Sequence, residues 1–374
     1  ADRAQSLSDR GQAATLQGDF VVAESLLTSA HRLYRDEVGR DDVHRARVFA
    51  RLANLYHETA AYDSSEHYYR AAVDLLNRLE AAPLADRAYA LQHLALLLQE
   101  RGQGAEAIPI FEEALAAQRT ALAEPHPEIA LLLNDYGMTL QGLGRSDEAE
   151  AVLRESLAMQ HAVFGAMHPQ IVYTLTNLAT VVDDYDLDAA DRFMREAQEV
   201  AETIFEPSDP VRVVTLGLRA NVLRQQGALV DAQAVYQDAL RGARAAFPVG
   251  HPRIAWIQVG LGGVLLDRGR PADAVDPLRE GAAQLVDRFG ATHPLTVRAH
   301  RTHADALIDL DRFRDAESVL QAQYDQLIEA YGTSDDRVQT TARRLVALYD
   351  AWGRPEEAAA YRARLGEEAH TGAE

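Results

Sequence analysis

Apolar residues in this chain recur at spacings of three and four, in stretches separated by glycine-containing breaks, and the whole pattern returns every 42 residues. Between positions 126 and 165, Ile129, Leu133, Tyr136 and Leu140 make one stripe, Gly142 and Gly144 interrupt it, and Ala149, Val152, Leu153, Ser156 and Leu157 make a second. Each stripe predicts an amphipathic helix and the break predicts the turn of a helical hairpin. Pro127 stands at a first helical position, where proline costs no hydrogen bond, and the segment from Gly144 to Asp147 supplies the turn and the N-cap of the second helix.

The period is carried by small residues. Ala23, Ser65, Ala107, Ala149, Ala190, Ala232, Ala274, Ala316 and Ala358 stand 42 apart at every step except Ala149 to Ala190, which is 41. A second small column runs through Gly11, Ala53, Ala95, Gly137, Ala179, Ala220, Gly262 and Ala304, and a third through Ala30, Ala72, Ala114, Ser156, Ala197, Ala239 and Gly281. Beside them recur larger knobs, among them Leu27, Tyr69, Phe111, Leu153, Met194, Tyr236, Leu278 and Leu320. Large beside small in register is how stacked helices fill space without voids.

With the small columns numbered 8, 20 and 27 and the knob 24, the hairpin resembles the tetratricopeptide repeat. The eight residues beyond the usual 34 resemble the kinesin-light-chain type of that repeat. So do the His-Pro pairs that open units at His126, His168, His251 and His293, and Asp209-Pro210 in the same place. HEAT and armadillo repeats share the period and lack these columns. The expected fold is all-α, a right-handed superhelical α-solenoid of about nine hairpins in one array over 1–367. Its units are approximately 1–41, 42–83, 84–125, 126–167, 168–208, 209–250, 251–292, 293–334 and 335–367, and 368–374 is expected to be a flexible tail. The missing residue between Leu178 and Ala190 predicts a local irregularity near Asp183–Asp186 rather than a domain break. The start at Ala1, without an initiator Met, is compatible with a piece of a longer protein fused to further domains.

Composition narrows the chemistry. All 37 basic residues are Arg, so no phosphate-loop, Schiff-base or kinase Lys is available within the chain, and the absence of Cys removes thiolate nucleophiles, Cys-ligated zinc and disulfides. A net charge of −20 opposes the phosphates of nucleic acid and anionic membrane surfaces. No stretch is apolar enough to span a membrane, and a cytoplasmic, membrane-free location is expected.

The remaining candidate chemistry has bland readings. The four His of the His-Pro pairs sit on successive hairpins too far apart to share a metal and are expected to cap helices. His300 and His303 lie on adjacent turns and lack an evident third ligand. Asp183, Asp184, Asp186 and Asp188 lack the Gly and terminal Glu of a calcium loop. Gly260, Gly262 and Gly263 fall inside a helix rather than after a strand. No metal, no cofactor and no catalytic residue is expected.

The resemblance implies instead that the first helix of each hairpin lines a concave groove, through positions 2, 5, 6, 9 and 12. A protein or peptide ligand is the expected partner. The candidate groove residues are Arg47, Arg51, Asn54, Tyr89, His93, Asn134, Tyr173, Asn177, Asn221, Trp256, Arg298 and Arg301. Tyr89, Tyr173 and Trp256 fall where burial against a neighbouring hairpin is not required, and aromatics and Arg carry interface energy. The four Asn could clamp an extended backbone, since an amide both donates and accepts. Arg47 and Arg51 at one end, and Arg298, Arg301, Arg343 and Arg344 at the other, would suit carboxylates on a partner. The expected function is a non-catalytic interaction module. The alternative is the sensing or docking region of a larger bacterial signalling protein, such as a serine/threonine kinase whose catalytic domain lies outside this chain.

Overall fold

A computed structural model of the chain describes residues 2–38 and 43–366. Among them there are eighteen α-helices, one π-helical turn at Tyr34–Val38, and no strand. The tail expected at 368–374 lies outside the described residues. The chain divides into two compact units, Ala1–Val182 and Asp183–Glu374. The division falls at the repeat that is one residue short. Continuity of a single array across that junction remains a proposal drawn from the period.

The first unit contains α1 (Asp2–Leu16), α2 (Phe20–Leu33), α3 (Val43–Glu58), α4 (Tyr62–Arg78), α5 (Leu84–Glu100), α6 (Gly104–Ala121), α7 (Pro127–Gly142), α8 (Ser146–Phe164) and α9 (Pro169–Val182). The second contains α10 (Leu187–Ile204), α11 (Pro210–Gln225), α12 (Leu229–Ala246), α13 (Pro252–Asp267), α14 (Pro271–Phe289), α15 (Pro294–Ile308), α16 (Phe313–Tyr331), α17 (Asp336–Trp352) and α18 (Pro355–Gly366). Within each unit every helix packs on the next in the chain. The first helices of successive hairpins also touch one another, α1 on α3, α3 on α5, α5 on α7 and α7 on α9 in one unit, and α11 on α13, α13 on α15 and α15 on α17 in the other. The first helices therefore share one continuous face within each unit.

The small columns are buried as the pattern requires: Ala23, Ala107, Ala149, Ala232, Ala274, Ala316 and Ala358 are completely enclosed. Their neighbours explain why some positions demand glycine. A Cβ on Gly11 would lie 2.7 Å from Leu27 Cγ, one on Gly137 2.6 Å from Leu153 Cγ, and one on Gly262 2.4 Å from Leu278 Cγ. In these three hairpins the Leu knob branches at Cγ close against the facing backbone, and glycine leaves it room. In the same columns Tyr69, Phe111 and Tyr236 stand in hairpins that carry Ala53, Ala95 and Ala220 in place of the glycine, all six buried.

The hairpin turn has its own column. Gly18, Gly102, Gly144, Gly227, Gly269 and Gly353 all have φ between 67° and 78°, a left-handed conformation that costs glycine little. At the same turn position Ala60 and Asp311 adopt φ 55° with a Cβ present. That strain is unrelieved in Ala60, whose side chain offers no local hydrogen bond.

The four His-Pro histidines cap helices. Nδ1 of His126, His168, His251 and His293 accepts the backbone N–H two residues on, at 3.2–3.3 Å. Asp209 and Asp335 perform the same task with a carboxylate oxygen at 2.8 and 2.9 Å. Three of the four rings are further held by stacking on an aromatic residue that ends or directly follows the preceding helix: His168 on Phe164 (3.9 Å), His251 on Phe247 (4.2 Å) and His293 on Phe289 (4.6 Å).

Candidate functional site

In the first unit the shared face of α1, α3 and α5 is indented. One cavity of about 480 Å³ is floored by Tyr69, Tyr89, His93 and Leu97 and rimmed by Leu16, Glu58 and Glu100. A second, of about 350 Å³, adjoins it and shares Gln12, Arg51, Asn54 and Tyr89 with the first. The four shared residues make the two cavities one groove. Arg47, Arg51, Asn54, Tyr89 and His93 thus come together, on two successive first helices, α3 and α5, with Tyr69 reaching in from α4.

Asn54 is the hub. Its Oδ1 accepts the Tyr69 hydroxyl, and its Nδ2 donates to Tyr89 Oη at 2.8 Å. His93 lies between the two rings, 4.2 Å from Tyr89 and stacked 6.0 Å from Tyr69. Burial pushes the His93 imidazole down to about 4, assisted by His57, so the ring is neutral at physiological pH. Burial pushes the Tyr69 phenol up, and Tyr89, Glu100 and Glu58 reinforce the shift. Tyr89 remains 42% exposed within the groove.

The cations at this end are not open to a partner's carboxylates as the sequence suggested. Arg47 grips Asp86 with two nitrogens, Nε at 2.9 Å from Oδ1 and Nη2 at 2.8 Å from Oδ2. Arg51 Nη1 donates to Ser8 Oγ at 2.6 Å and Asp9 Oδ1 at 2.8 Å. His57 Nε2 lies 2.7 Å from Glu100. These three side chains are each answered by a carboxylate on a neighbouring first helix.

Further along the same unit, Asn134 Oδ1 accepts from Thr174 Oγ1 (3.1 Å) and Asn177 Nδ2 (3.0 Å). The chain continues inward, where Gln160 Nε2 donates to Thr174 Oγ1 at 2.9 Å. Asp135 is raised above its ordinary range by burial, against hydrogen bonds from Gln92 and Asn134. Tyr173 is 45% exposed beside this polar run. The amides expected to clamp a backbone are therefore already partly engaged.

In the second unit Asn221 Oδ1 accepts the Tyr236 hydroxyl, repeating the pair at Asn54 and Tyr69. Trp256 corrects the sequence reading: it is packed against the core, its ring over Gly217, where an added Cβ would lie 2.3 Å from Cζ3. Arg224 crosses Gly263 in the same way and holds Asp267 at 2.5 Å. Arg298 is exposed. Arg301 is half-buried without an ion pair among the described residues. Burial lowers its proton affinity and Arg344 adds to the effect, while Arg344 itself pairs with Asp305.

Among the described residues no group of three or more His, Asp or Glu is placed to hold a metal ion. His300 Nδ1 pairs with Gln323 Oε1 at 2.6 Å, and Gln323 Nε2 donates to Ala291 O, which accounts for a Gln in a column of small residues. Among the same residues no helix is long and apolar enough to cross a membrane.

One residue of the site escaped the sequence reading, although the columns contain its signal. Tyr69 and Tyr236 are the only tyrosines at position 24, and theirs are the only hairpins with Asn at position 9; elsewhere that position holds Gln12, Leu96, Met138, Thr180, Gly263, Asp305 or Ala347. A buried phenol requires an acceptor, and the column supplies one where it is needed.

No curated protein matches the chain in sequence. Among solved structures it is similar to the apo form of RapI, with a TM-score of 0.71 and 10% identity over 97% of this chain and 96% of that one. It is similar to BtubC (BKLC) from P. vanneervenii, with a TM-score of 0.53 and 20% identity over 64% of this chain and 91% of that one. It is also similar to a signal transduction ATPase with numerous domains from Pyrococcus horikoshii that carries a tetratricopeptide repeat sensor, with a TM-score of 0.61 and 13% identity over 96% of this chain and 53% of that one. The sequence profile of the tetratricopeptide repeat matches residues 2–78, 86–162, 128–203 and 211–285, more than half of the chain. With the stacked hairpins and their columns, this places the protein in the tetratricopeptide repeat family.

Proposed function

We propose that the chain is a non-catalytic protein-interaction module that receives a peptide, or an extended segment of a partner protein, against its first helices. One observation carries the reading: two contiguous cavities open on the face shared by α1, α3 and α5, floored by aromatic rings and supplied with amides. Concave sites of a few hundred Å³ with an apolar floor and a few polar groups are where proteins take ligands. Asn54, Asn134, Asn177 and Asn221 would contribute the hydrogen-bonding capacity their internal bonds leave over, and Tyr89 and Tyr173 the exposed aromatic surface. Arg298 and Arg301 would receive acidic groups in the second unit. The charge of −20 favours a protein partner over nucleic acid, and a cytoplasmic location belongs to the same proposal.

The Pyrococcus horikoshii neighbour favours a second reading. There the repeat region is the sensor of a larger signalling ATPase, of which this chain matches 53%. The same groove would then serve as the docking or sensing half of a longer protein, such as a kinase.

Affinity capture from cells that express the protein tests the first reading. Tyr89→Ala with Tyr173→Ala should abolish recovery of a specific partner while helical circular dichroism stays unchanged. Equal recovery by wild type and variant would remove the groove from the proposal.

A further inference from the structure

We propose that the cavity between α1, α3 and α5 takes the side chain of an arginine or lysine from an extended peptide, its cationic head over Tyr89 and against Glu58. The inference rests on the peptide-binding reading above and adds the charge of the residue recognised.

The argument is a charge count at the groove. Arg47 is matched by Asp86 and Arg51 by Asp9, and Glu100 lies 2.7 Å from the His57 ring, which counts as a cation only when protonated. Glu58 remains, without an ion pair among the described residues, exposed on the rim of the 480 Å³ cavity. Burial first, then Tyr89, keeps the Tyr69 phenol protonated, and Glu100 and Glu58 add to the same shift. The cavity rim therefore carries the carboxylates of Glu58 and Glu100, and its one arginine, Arg51, is already paired.

The walls suit the same ligand. Leu96, Leu97 and the neutral His93 line a passage for an aliphatic stem, as long cationic side chains require. The half-exposed Tyr89 ring lines the cavity and offers aromatic surface to a cationic head group, and Asn54 donates to its hydroxyl. An acidic side chain would meet Glu58 and Glu100 with no cation to offset them. A wholly apolar one would strip water from both carboxylates and return nothing.

The test uses the full chain with labelled leucine methyl groups, following Leu16, Leu96 and Leu97 by NMR. Four blocked pentapeptides are titrated, in which arginine, its uncharged isostere citrulline, leucine or glutamate is flanked by alanines. The arginine peptide should move these methyls saturably, and citrulline, or Glu58→Gln in the protein, should weaken binding about tenfold. Tyr89→Leu should weaken it as well while the methyl spectrum of the free protein shows the fold intact. If the leucine or glutamate peptide fills the cavity as well as arginine does, or Glu58→Gln changes nothing, the charge assignment falls and the peptide-binding reading stands. If none of the four moves the three leucines, both fall for this cavity.

Discussion

Tyr69 donates its phenolic hydrogen to Asn54 Oδ1 across the α3–α4 hairpin. The same bond joins Tyr236 to Asn221 across α11–α12. In the first unit the pair reaches the groove as well, because Asn54 Nδ2 also donates to the Tyr89 hydroxyl at 2.8 Å.

Asn54→Leu leaves the Tyr69 hydroxyl buried without its acceptor and should cost about 1–3 kcal/mol. Adding Tyr69→Phe should recover part of that loss, since the double substitution reproduces the Leu96 and Phe111 combination of the next hairpin. Urea denaturation of the two single variants and the double variant measures the coupling. Additive losses would show that the pair is not a unit.

Gly137→Ala places a Cβ 2.6 Å from Leu153 Cγ in a closed interior. Displacing the Leu side chain should cost about 1–3 kcal/mol. Ala60→Gly acts in the opposite direction: it relieves φ 55° at a turn where six of the equivalent residues are already glycine, and should stabilise by about 1 kcal/mol. Denaturation midpoints should move in opposite directions, and movement of both the same way would contradict the packing argument.

The helix caps make a graded prediction. His251→Ala removes the acceptor for the Arg253 N–H and should cost about 1 kcal/mol. His251→Asp should cost little, because Asp209 and Asp335 fill the same role with shorter bonds. Thermal unfolding of the two variants distinguishes capping from mere occupancy of the site.

Acid should weaken the fold through two buried rings. Burial pushes His93 and His303 down to about 4, with His57 contributing to the first and His300 to the second, whereas an unfolded imidazole takes its proton near 6.5. The unfolded chain therefore binds more protons between those values. The stability these neutral rings contribute is complete above about pH 6.5 and is lost as pH falls toward 4. For His93 the slope approaches one proton, ~1.4 kcal/mol per pH unit. His93→Leu and His303→Leu should flatten the dependence of the urea midpoint on pH between 6.5 and 4.5; an unchanged slope would contradict it.

Much of this architecture was legible because a repeat states its rules many times. The columns at Ala23 and Gly11 and their successors fixed the hairpins, the His-Pro pairs marked helix starts, and aligned first helices identified the face on which the groove lies. What one sequence withheld was pairing. Arg47 and Arg51 looked available because Asp86 and Asp9 lie 39 and 42 residues away, beyond the reach of a pattern within one helix. Trp256 looked exposed because its partner is the absence of a side chain at Gly217. Tyr69 was read as a knob, and its hydroxyl made it a member of the site.

The claim on which the rest depends is that a partner lies against the first helices of the amino-terminal unit. A photo-crosslinking phenylalanine analogue at position 89, compared with the same residue at exposed Val21 on α2, tests it by direct contact. Cross-links to one partner segment from position 89 and none from position 21 are expected. The reverse pattern would place the interaction on the second helices and contradict the account.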